Sequence, residues 1–309
     1  MLNHSSRPIF DAHGMSPGIQ LYTLDPDIER DFAGTLSAVR RIGYRSVELP
    51  GFYGHSAADL RAALDRADLV CRSMHVRPTA MSPGPNLSGD LGALADAAHI
   101  VGVTDIVMPI FLVPRDFAPP AGASDLEIFS AAGTGLAADD YYRMAEFLNE
   151  KGFSLQSLGL RLGYHNHNCE FAPLDGKTGM QILMENTDPA IVDFELDVGW
   201  AAAAGLDPIV LLNIYGQRFT QLHVKDIKPS TLPNFAFRQD PTFVGNGIID
   251  WQAIIPIAKA HGVRAFYVEQ EPPFAEDRLV EVARSYQYLM GLEEPVDPAA
   301  RHDLRDIGA

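Results

Sequence analysis

Two histidines close an apolar stretch of the chain, in the segment Arg161–Asn168. Its residues predict a strand that runs out of apolar side chains and ends in polar ones. Because side chains alternate between faces along a strand, His165 and His167 point the same way. Imidazole serves both as a metal ligand and as an acid–base group. This strand end could therefore carry chemistry.

Three later segments repeat the pattern with other groups of the same kind. They are Asp193–Asp197, Gln221–Asp226 and Ala265–Glu271. Each predicts a short strand whose C-terminal end carries histidine or carboxylate. If the strands are parallel neighbours, these ends gather at one place, as they do in a metal-assisted active site on a parallel barrel.

Composition limits the class of protein. Hydrophobic residues make up 47% and charged residues 21% of the 309 residues, as in a globular protein with a large core. The net charge of −16 argues against nucleic acid as a partner.

No apolar run approaches the roughly 18 residues of a membrane span. The first residues resemble no signal peptide, so a cytoplasmic location is the expectation. Two cysteines, Cys71 and Cys169, make no disulfide framework.

Strand and helix signals alternate along the chain, which predicts βα units around a parallel sheet. Four strands precede the four polar ones, at Gly18–Tyr22, Ser46–Leu49, Val70–His75 and Asp105–Pro109. Eight strands interleaved with eight helices predict an α/β fold, a single (β/α)₈ barrel. We expect an N-terminal extension at 1–15, the barrel at 16–292 and a polar tail at 293–309.

Helical periodicity is clearest in five places. One helix is predicted to bury Ile28, Phe32, Leu36 and Val39, and the others are Asp139–Lys151, Ile209–Tyr215, Trp251–His261 and Glu276–Leu289. Two long intervals, Phe111–Leu136 and Lys228–Asp250, follow barrel strands. Because loops after barrel strands lie at the catalytic face, both are predicted lids or specificity loops.

Five motifs in order carry a resemblance to a known family. They are Tyr164–His167, Asp197–Trp200, His223–Asp226, Val244–Trp251 and Val268–Gln270. Together they resemble the sugar isomerase/epimerase family of xylose isomerase-like TIM barrels, which includes tagatose 3-epimerase, hydroxypyruvate isomerase and inosose dehydratase. The resemblance covers residues from about 16 to 290. It implies the barrel fold and an enzyme of carbohydrate metabolism.

The resemblance also implies one divalent metal ion held by side chains from strands five to eight. Carried over by position, these are His165, Asp197, His223 and Glu269. Epimerases of the family have glutamate at strand five, so His165 is a departure that the dehydratase branch shares. His167 is the alternative ligand there. A mixed imidazole–carboxylate set suits Mn²⁺, our first expectation, or Co²⁺, Fe²⁺, Zn²⁺ or Ni²⁺, with Mg²⁺ also considered.

Four residues are candidates for catalysis beside such an ion. Glu269 or Glu195 could remove the proton next to a substrate carbonyl. Lys225 or His167 could donate a proton or hydrogen bond to the developing oxyanion or to a leaving hydroxyl. The chain has no glycine-rich dinucleotide fingerprint, so a hydride-accepting cofactor is not expected.

Four further residues are candidates for binding substrate. Glu48 ends the second strand, where this superfamily often places a substrate-contacting acid, or else forms a salt bridge. His75 either contacts substrate or is a structural histidine. Trp200 is either a platform for stacking a sugar or a core residue. Glu271 either faces the site or pairs with a nearby arginine.

The favoured function is a metal-dependent isomerase or epimerase of a ketose or keto-sugar. Dehydration or β-elimination of a keto-sugar or keto-inositol is the alternative on the same site, because His165 replaces the second glutamate. An inactive sugar-binding or partner-subunit barrel is the alternative of another class. The expected partner is a small carbohydrate, with no nucleic acid and no membrane; a homo-oligomer is also considered.

Overall fold

Eight parallel strands close into a barrel in this computed structural model, which describes residues 8–80 and 84–293 of the chain. Each strand pairs with its neighbours in sequence, and the first pairs with the last. The strands are β1 Gly18–Gln20, β2 Ser46–Leu49, β3 Val70–His75, β4 Asp105–Met108, β5 Arg161–His165, β6 Val192–Asp197, β7 Phe219–Val224 and β8 Ala265–Val268. The (β/α)₈ barrel predicted from the sequence is confirmed.

Helices surround the barrel and fill most of the connections between strands. They are α1 Ile9–Ala12, α2 Asp25–Arg30, α3 Phe32–Ile42, α4 Ala57–Ala67, α5 Leu91–Val101, α6 Asp125–Thr134, α7 Ala138–Ser157, α8 Gly179–Asn186, α9 Val198–Ala203, α10 Pro208–Tyr215, α11 Trp251–Ala260 and α12 Arg278–Met290. Short 3₁₀ turns lie at Leu21–Leu24, Cys169–Phe171 and Gly216–Arg218. No helix of the described ranges is long and apolar enough to cross a membrane.

The sequence predicted one helix that contains Ile28 and Val39, but the structure has two helices there, α2 and α3. Asp31 interrupts it with an extended backbone, at φ −153° and ψ 85°. The Asp31 carboxylate accepts a hydrogen bond from the backbone N–H of Gly34 at 2.9 Å. The N-terminus of α3 is thereby capped, and a second helix starts where the sequence pattern predicted a continuation.

The described part of the N-terminal extension packs against the barrel. Ile9 and Phe10 are fully buried, and the Phe10 ring lies edge-on to Phe266 at 5.8 Å between centroids. The backbone N–H of Ile9 donates to the carbonyl of Leu292 at 2.8 Å, so the two ends of the described chain meet. The tail predicted at 293–309 lies outside the described residues, apart from Glu293.

The interval Phe111–Leu136 was predicted as a loop, but it contains the helix α6. Ser124 caps that helix, and the Glu127 side chain accepts from the Ser124 backbone N–H at 2.8 Å. This capping box is a pattern of Ser followed three residues later by Glu, so the sequence did contain a signal for it.

Lys228–Asp250 is a loop tied to the barrel by the fully buried carboxylate of Asp226. Asp226 accepts hydrogen bonds from the N–H of Gly245 at 2.9 Å and from the indole of Trp251 at 3.2 Å. At Gly247, a Cβ atom would lie 2.0 Å from Asp226 Oδ1. The glycine-rich segment Gly245–Gly247 is therefore a tight turn around a carboxylate.

Strand register brings the polar strand ends together. His165 is level with Glu195, and Asp197 is level with His223. The N–H of Glu269 donates to the carbonyl of Val224 at 3.2 Å, which places Glu269 beside the end of β7. Because the eight barrel strands are all parallel, these residues lie at the same end of the barrel.

Candidate active site

The four residues proposed as metal ligands converge at the C-terminal end of the barrel. His165, Asp197, His223 and Glu269 come from four consecutive strands, and none is more than 5% exposed. His223 Nδ1 lies 3.1 Å from Glu269 Oε2 and 3.7 Å from Asp197 Oδ2. His165 Nε2 lies 3.9 Å from Asp197 Oδ2. These four donors face one another across a small volume.

Glu195 is the centre of a second group, formed with three histidines. Its Oε2 lies 3.0 Å from His75 Nε2, 3.1 Å from His165 Nδ1 and 3.1 Å from His223 Nε2. These four residues form one set of possible metal ligands, whose donor atoms lie within 4.8 Å of one another. Asp197, His223 and Glu269 form a second set that meets the same limit. The sequence assigned neither His75 nor Glu195 to a metal, although both offer donors here.

The buried oxygens test whether the site suits a cation. Glu195 Oε1 is buried and has no hydrogen-bond partner in the described part of the chain, whereas Asp197 Oδ2 already lies 2.8 Å from the ammonium of Lys225. Unpaired buried carboxylate oxygens are costly unless a cation meets them. Nitrogen and oxygen donors of this kind suit a first-row divalent metal. The residues present therefore fit such an ion.

Lys225 supplies the positive charge nearest to these carboxylates. Its fully buried Nζ lies 2.8 Å from Asp197 Oδ2, 2.7 Å from Glu269 Oε2 and 2.7 Å from Glu271 Oε1. Burial lowers the pKa of Lys225, but the three carboxylates outweigh burial and raise it well above its ordinary value. Lys225 is therefore a fixed cation.

The carboxylates and the histidines of the site shift one another's pKa values. Burial raises the pKa of Glu269, but the charges of Lys225 and His223 outweigh burial and hold it well below its ordinary value. Burial lowers the pKa of His75, but Glu48 and Glu195 outweigh burial and raise it to about 9. The strand ends thus form an ionised network of acids and bases.

His167 differs from the other histidines of the site. Its ring packs against Trp200 and Phe237, at 5.5 Å and 4.8 Å between centroids, and its Nδ1 has no hydrogen-bond partner. Burial holds the pKa of His167 well below its ordinary value, and the charges of His165 and Lys225 lower it further. His167 is therefore a neutral imidazole.

A pocket of about 200 Å³ opens above the cluster. Six of the residues predicted from the sequence line it: His75, His165, His167, Trp200, Glu269 and Glu271. Asp197, His223, Lys225 and Glu195 lie beneath it with no exposed surface.

Glu48 also lies beneath the pocket and does not line it. It has no exposed surface, and its Oε2 lies 2.8 Å from His223 Nε2. It also accepts hydrogen bonds from Gln20 at 2.8 Å and from the Ser73 hydroxyl. Of the two alternatives for Glu48, the structure shows ion pairs, with His223 and with His75 at 3.3 Å, and contact with substrate stays a prediction. Glu48 orients histidines.

The alternatives for Trp200 and Glu271 are resolved by their contacts. The Trp200 ring is 2% exposed, and its indole N–H donates to Glu271 Oε1 at 3.2 Å. Trp200 is thus a largely buried residue with an edge at the pocket. Glu271 lines the pocket and pairs with Lys225; the alternative of an arginine partner is wrong.

Sequence analysis missed several residues of the pocket wall. Tyr22 and Arg77 follow β1 and β3, and Phe129 and Phe237 come from the two long intervals after β4 and β7. Both intervals were predicted to overhang the catalytic face. Because Phe129 and Phe237 line the pocket, both intervals do reach that face. Individual loop residues carry no periodic signal, so the sequence could indicate the loops but not these side chains.

Comparisons with known proteins agree with this architecture. The family described as xylose isomerase-like TIM barrel matches residues 36–289. The inosose dehydratase of Clostridium beijerinckii is 25% identical over 272 residues, which cover 81% of this chain and 87% of that protein. The inosose dehydratase of Geobacillus kaustophilus is 24% identical over 287 residues, 87% of each chain. A sugar phosphate isomerase/epimerase structure from Parabacteroides distasonis has a TM-score of 0.69 at 24% identity, covering 89% of this chain and 93% of that one.

Proposed function

Because the chain belongs to the xylose isomerase-like TIM-barrel family, we propose that it is a metal-dependent lyase that removes water from a keto-sugar or keto-inositol. The sequence alone favoured an isomerase or epimerase. The dehydratase ranks first here because two curated relatives that align along most of this chain are named inosose dehydratase. The isomerase/epimerase assignment has support at the level of the family only.

The observation that carries the proposal is the imidazole of His165 at the end of β5. Only one carboxylate of the proposed ligand set, that of Glu269, lines the pocket. A single base is sufficient for elimination, because it removes the proton next to the carbonyl and can then return that proton to the departing β-hydroxyl, which leaves as water. Epimerisation needs acid–base groups on both faces of the substrate. Because a metal-bound imidazole has its lone pair committed to the ion, His165 is a poor second base.

The proposed role of each residue follows from its place around the pocket. Glu269 accepts the substrate proton, and His223 holds the ionised carboxylate in position. Glu271 and the edge of Trp200 contact substrate hydroxyls or ring carbons. A divalent ion held by His165, Asp197, His223 and Glu269 would polarise the substrate carbonyl.

Isomerisation or epimerisation remains the second candidate because of His167. This neutral imidazole lines the pocket from beyond β5, three strands away from Glu269. The edge of its ring lies at the pocket, and the neutral imidazole could return a proton on the other face of the substrate. The inactive sugar-binding barrel ranks below both, because the relatives that cover most of the chain are enzymes.

The proposal also covers the substrate size, the metal, the location and the oligomeric state. A pocket of about 200 Å³ suits one small carbohydrate. The first metal to test is Mn²⁺, followed by Co²⁺, Fe²⁺, Zn²⁺, Ni²⁺ and Mg²⁺. A cytoplasmic location and a homo-oligomer remain predictions.

The deciding experiment is an assay of keto-inositols and keto-sugars with the enzyme stripped of metal and then reloaded with Mn²⁺. We expect loss of water from one of these substrates, detected by mass spectrometry, and dependence of the rate on added metal. Isomeric products of unchanged mass would support the second candidate. Full activity of the stripped enzyme would contradict metal dependence.

A further inference from the structure

The ammonium group of Lys225 contacts the same oxygens that a metal would use. Asp197 Oδ2 and Glu269 Oε2 lie 2.8 Å and 2.7 Å from Nζ, and both face Nδ1 of His223. A third carboxylate, Glu271, lies 2.7 Å from the same ammonium. A monovalent cation of the chain itself therefore bridges two of the proposed ligands.

The chain is shaped to admit this lysine. At Gly199, a Cβ atom would lie 2.6 Å from Lys225 Cγ and 2.9 Å from its Cδ. The lysine stem thus passes directly over a residue with no side chain. Asp197 contributes from the same segment: its Oδ1 caps α9 by accepting from the Trp200 N–H at 2.8 Å, which leaves Oδ2 facing the ammonium. The motif Asp197–Trp200 is in part a cradle for Lys225.

Lys225 also has partners that it can keep without Asp197 and Glu269. Of its three carboxylate contacts, only that with Glu271 has the geometry of a well-formed hydrogen bond. Its Nζ lies 5.1 Å from the centre of the Trp200 ring, which favours a cation over its face. The Trp200 indole holds Glu271 from the other side, at 3.2 Å. This second position is nearer to the pocket.

From these contacts we propose, resting on the metal-dependent function above, that Lys225 is a built-in competitor of the metal ion. Its ammonium bridges Asp197 and Glu269 in the metal-free protein, and it withdraws to Glu271 and Trp200 when an ion binds. Three carboxylates around one ammonium leave two negative charges, which suits a dication. Because two cations cannot share Asp197 Oδ2 and Glu269 Oε2 at contact distance without strong repulsion, the lysine limits metal affinity.

The test compares Mn²⁺ affinity at one pH and ionic strength, with free Mn²⁺ measured by electron paramagnetic resonance. Lys225→Met keeps an unbranched side chain and removes the charge. We expect it to bind Mn²⁺ more tightly by about tenfold or more, the scale on which groups next to metal ligands alter affinity. Lys228→Met is the matched control, because Lys228 forms a half-exposed pair with Asp240 and should not change the affinity.

A second variant and a crystal structure cover the case in which Lys225→Met does not fold. Lys225→Gln keeps a polar head without the charge and should also tighten Mn²⁺ binding. In wild-type crystals soaked with Mn²⁺, Lys225 Nζ should leave Asp197 Oδ2 and stay with Glu271. Two results would contradict the proposed competition and leave the metal-dependent function standing. One is unchanged or weaker Mn²⁺ binding by Lys225→Met, and the other is an ammonium that still bridges Asp197 and Glu269 beside the ion. Absence of Mn²⁺ binding in both the wild type and the variant would overturn the metal-dependent function as well.

Discussion

Glu48 Oε2 lies 2.8 Å from Nε2 of His223, whose other ring nitrogen faces Asp197 and Glu269. A carboxylate that receives the second N–H of a metal-binding histidine fixes the tautomer and the orientation of its ring. Glu48 is itself fixed by Gln20 at 2.8 Å and by the Ser73 hydroxyl. The end of β2 thus orients a ligand on β7 across the barrel.

The first prediction follows from this pair. Glu48→Gln should lower Mn²⁺ affinity by about 10–100-fold, because the amide no longer holds His223 in the required tautomer. The measurement is a titration of chelator-treated protein. Glu276→Gln removes a carboxylate from a half-exposed pair with Arg284 and serves as the control. Equal affinity of wild type and Glu48→Gln would show that His223 needs no such partner.

The second prediction decides which histidine of the β5 end binds metal. His165→Ala should lose most of the bound metal, because His165 belongs to the cluster of possible ligands. His167→Ala should keep it, since His167 packs on Trp200 and Phe237 and belongs to neither ligand group of the described residues. His165→Glu should also keep it, because a carboxylate can bind at that position. Elemental analysis of purified variants measures this, and the reverse order for the two alanine variants would transfer the ligand role to His167.

Much of this architecture could be predicted from the sequence, because barrel strands are short apolar runs with a distinct polar end. The polar strand ends were found in this way, the resemblance to the family implied which four residues there would bind the ion, and the structure brings all four to one end of the barrel. The roles of Glu48 and Lys225 could not be predicted from it. Both depend on contacts between strands that are far apart in the sequence, such as the 175 residues between Glu48 and His223.

Helix boundaries show a different limit of sequence analysis. The helical spacing of apolar residues continues past Asp31, although Asp31 caps a new helix there. An amphipathic pattern reports which residues face the core but not where the backbone is interrupted. Pocket residues such as Arg77 and Phe237 were missed because they follow strands or lie in loops, where no period exists.

The third prediction concerns stability at the other end of the barrel. Asp105 at the start of β4 pairs with Arg161 at 2.9 Å and also with Arg264. Burial raises the pKa of Asp105, but the hydrogen bonds from Arg161 and the charge of Arg264 outweigh burial and lower it below its ordinary value of 3.8. A lowered folded-state pKa stabilises the protein above the unfolded-state pKa, and this contribution is lost as the pH falls through the folded-state pKa.

Asp105→Asn should therefore lower the free energy of unfolding by about 1–2 kcal/mol at neutral pH, since both arginines are partly exposed. Urea unfolding at a series of pH values provides the measurement. The difference from wild type should be constant near neutral pH and shrink below about pH 4. Asp240→Asn, at a half-exposed ion pair, should change the free energy of unfolding much less than Asp105→Asn does. A difference that grows on acidification would contradict the assignment.

The last prediction concerns the base. Glu269 and Glu271 both line the pocket from the end of β8 and both contact Lys225, so the same conservative change can be made at either. Glu269→Gln should abolish exchange of the substrate proton with solvent deuterium, because an amide cannot accept that proton. Metal binding should largely survive, since the amide oxygen can still coordinate. Glu271→Gln should retain exchange, because its proposed role is to contact hydroxyls and not to take the proton.

The assay is deuterium incorporation next to the carbonyl of the keto-inositol or keto-sugar that the substrate screen identifies. Metal content must be measured on the same samples, so that loss of a base is separated from loss of the ion. If Glu269→Gln exchanges at the wild-type rate with its metal in place, Glu269 is not the base. His167 then becomes the leading candidate, because its neutral ring lines the pocket, although its Nδ1 is buried, whereas Glu195 lies beneath the pocket with no exposed surface.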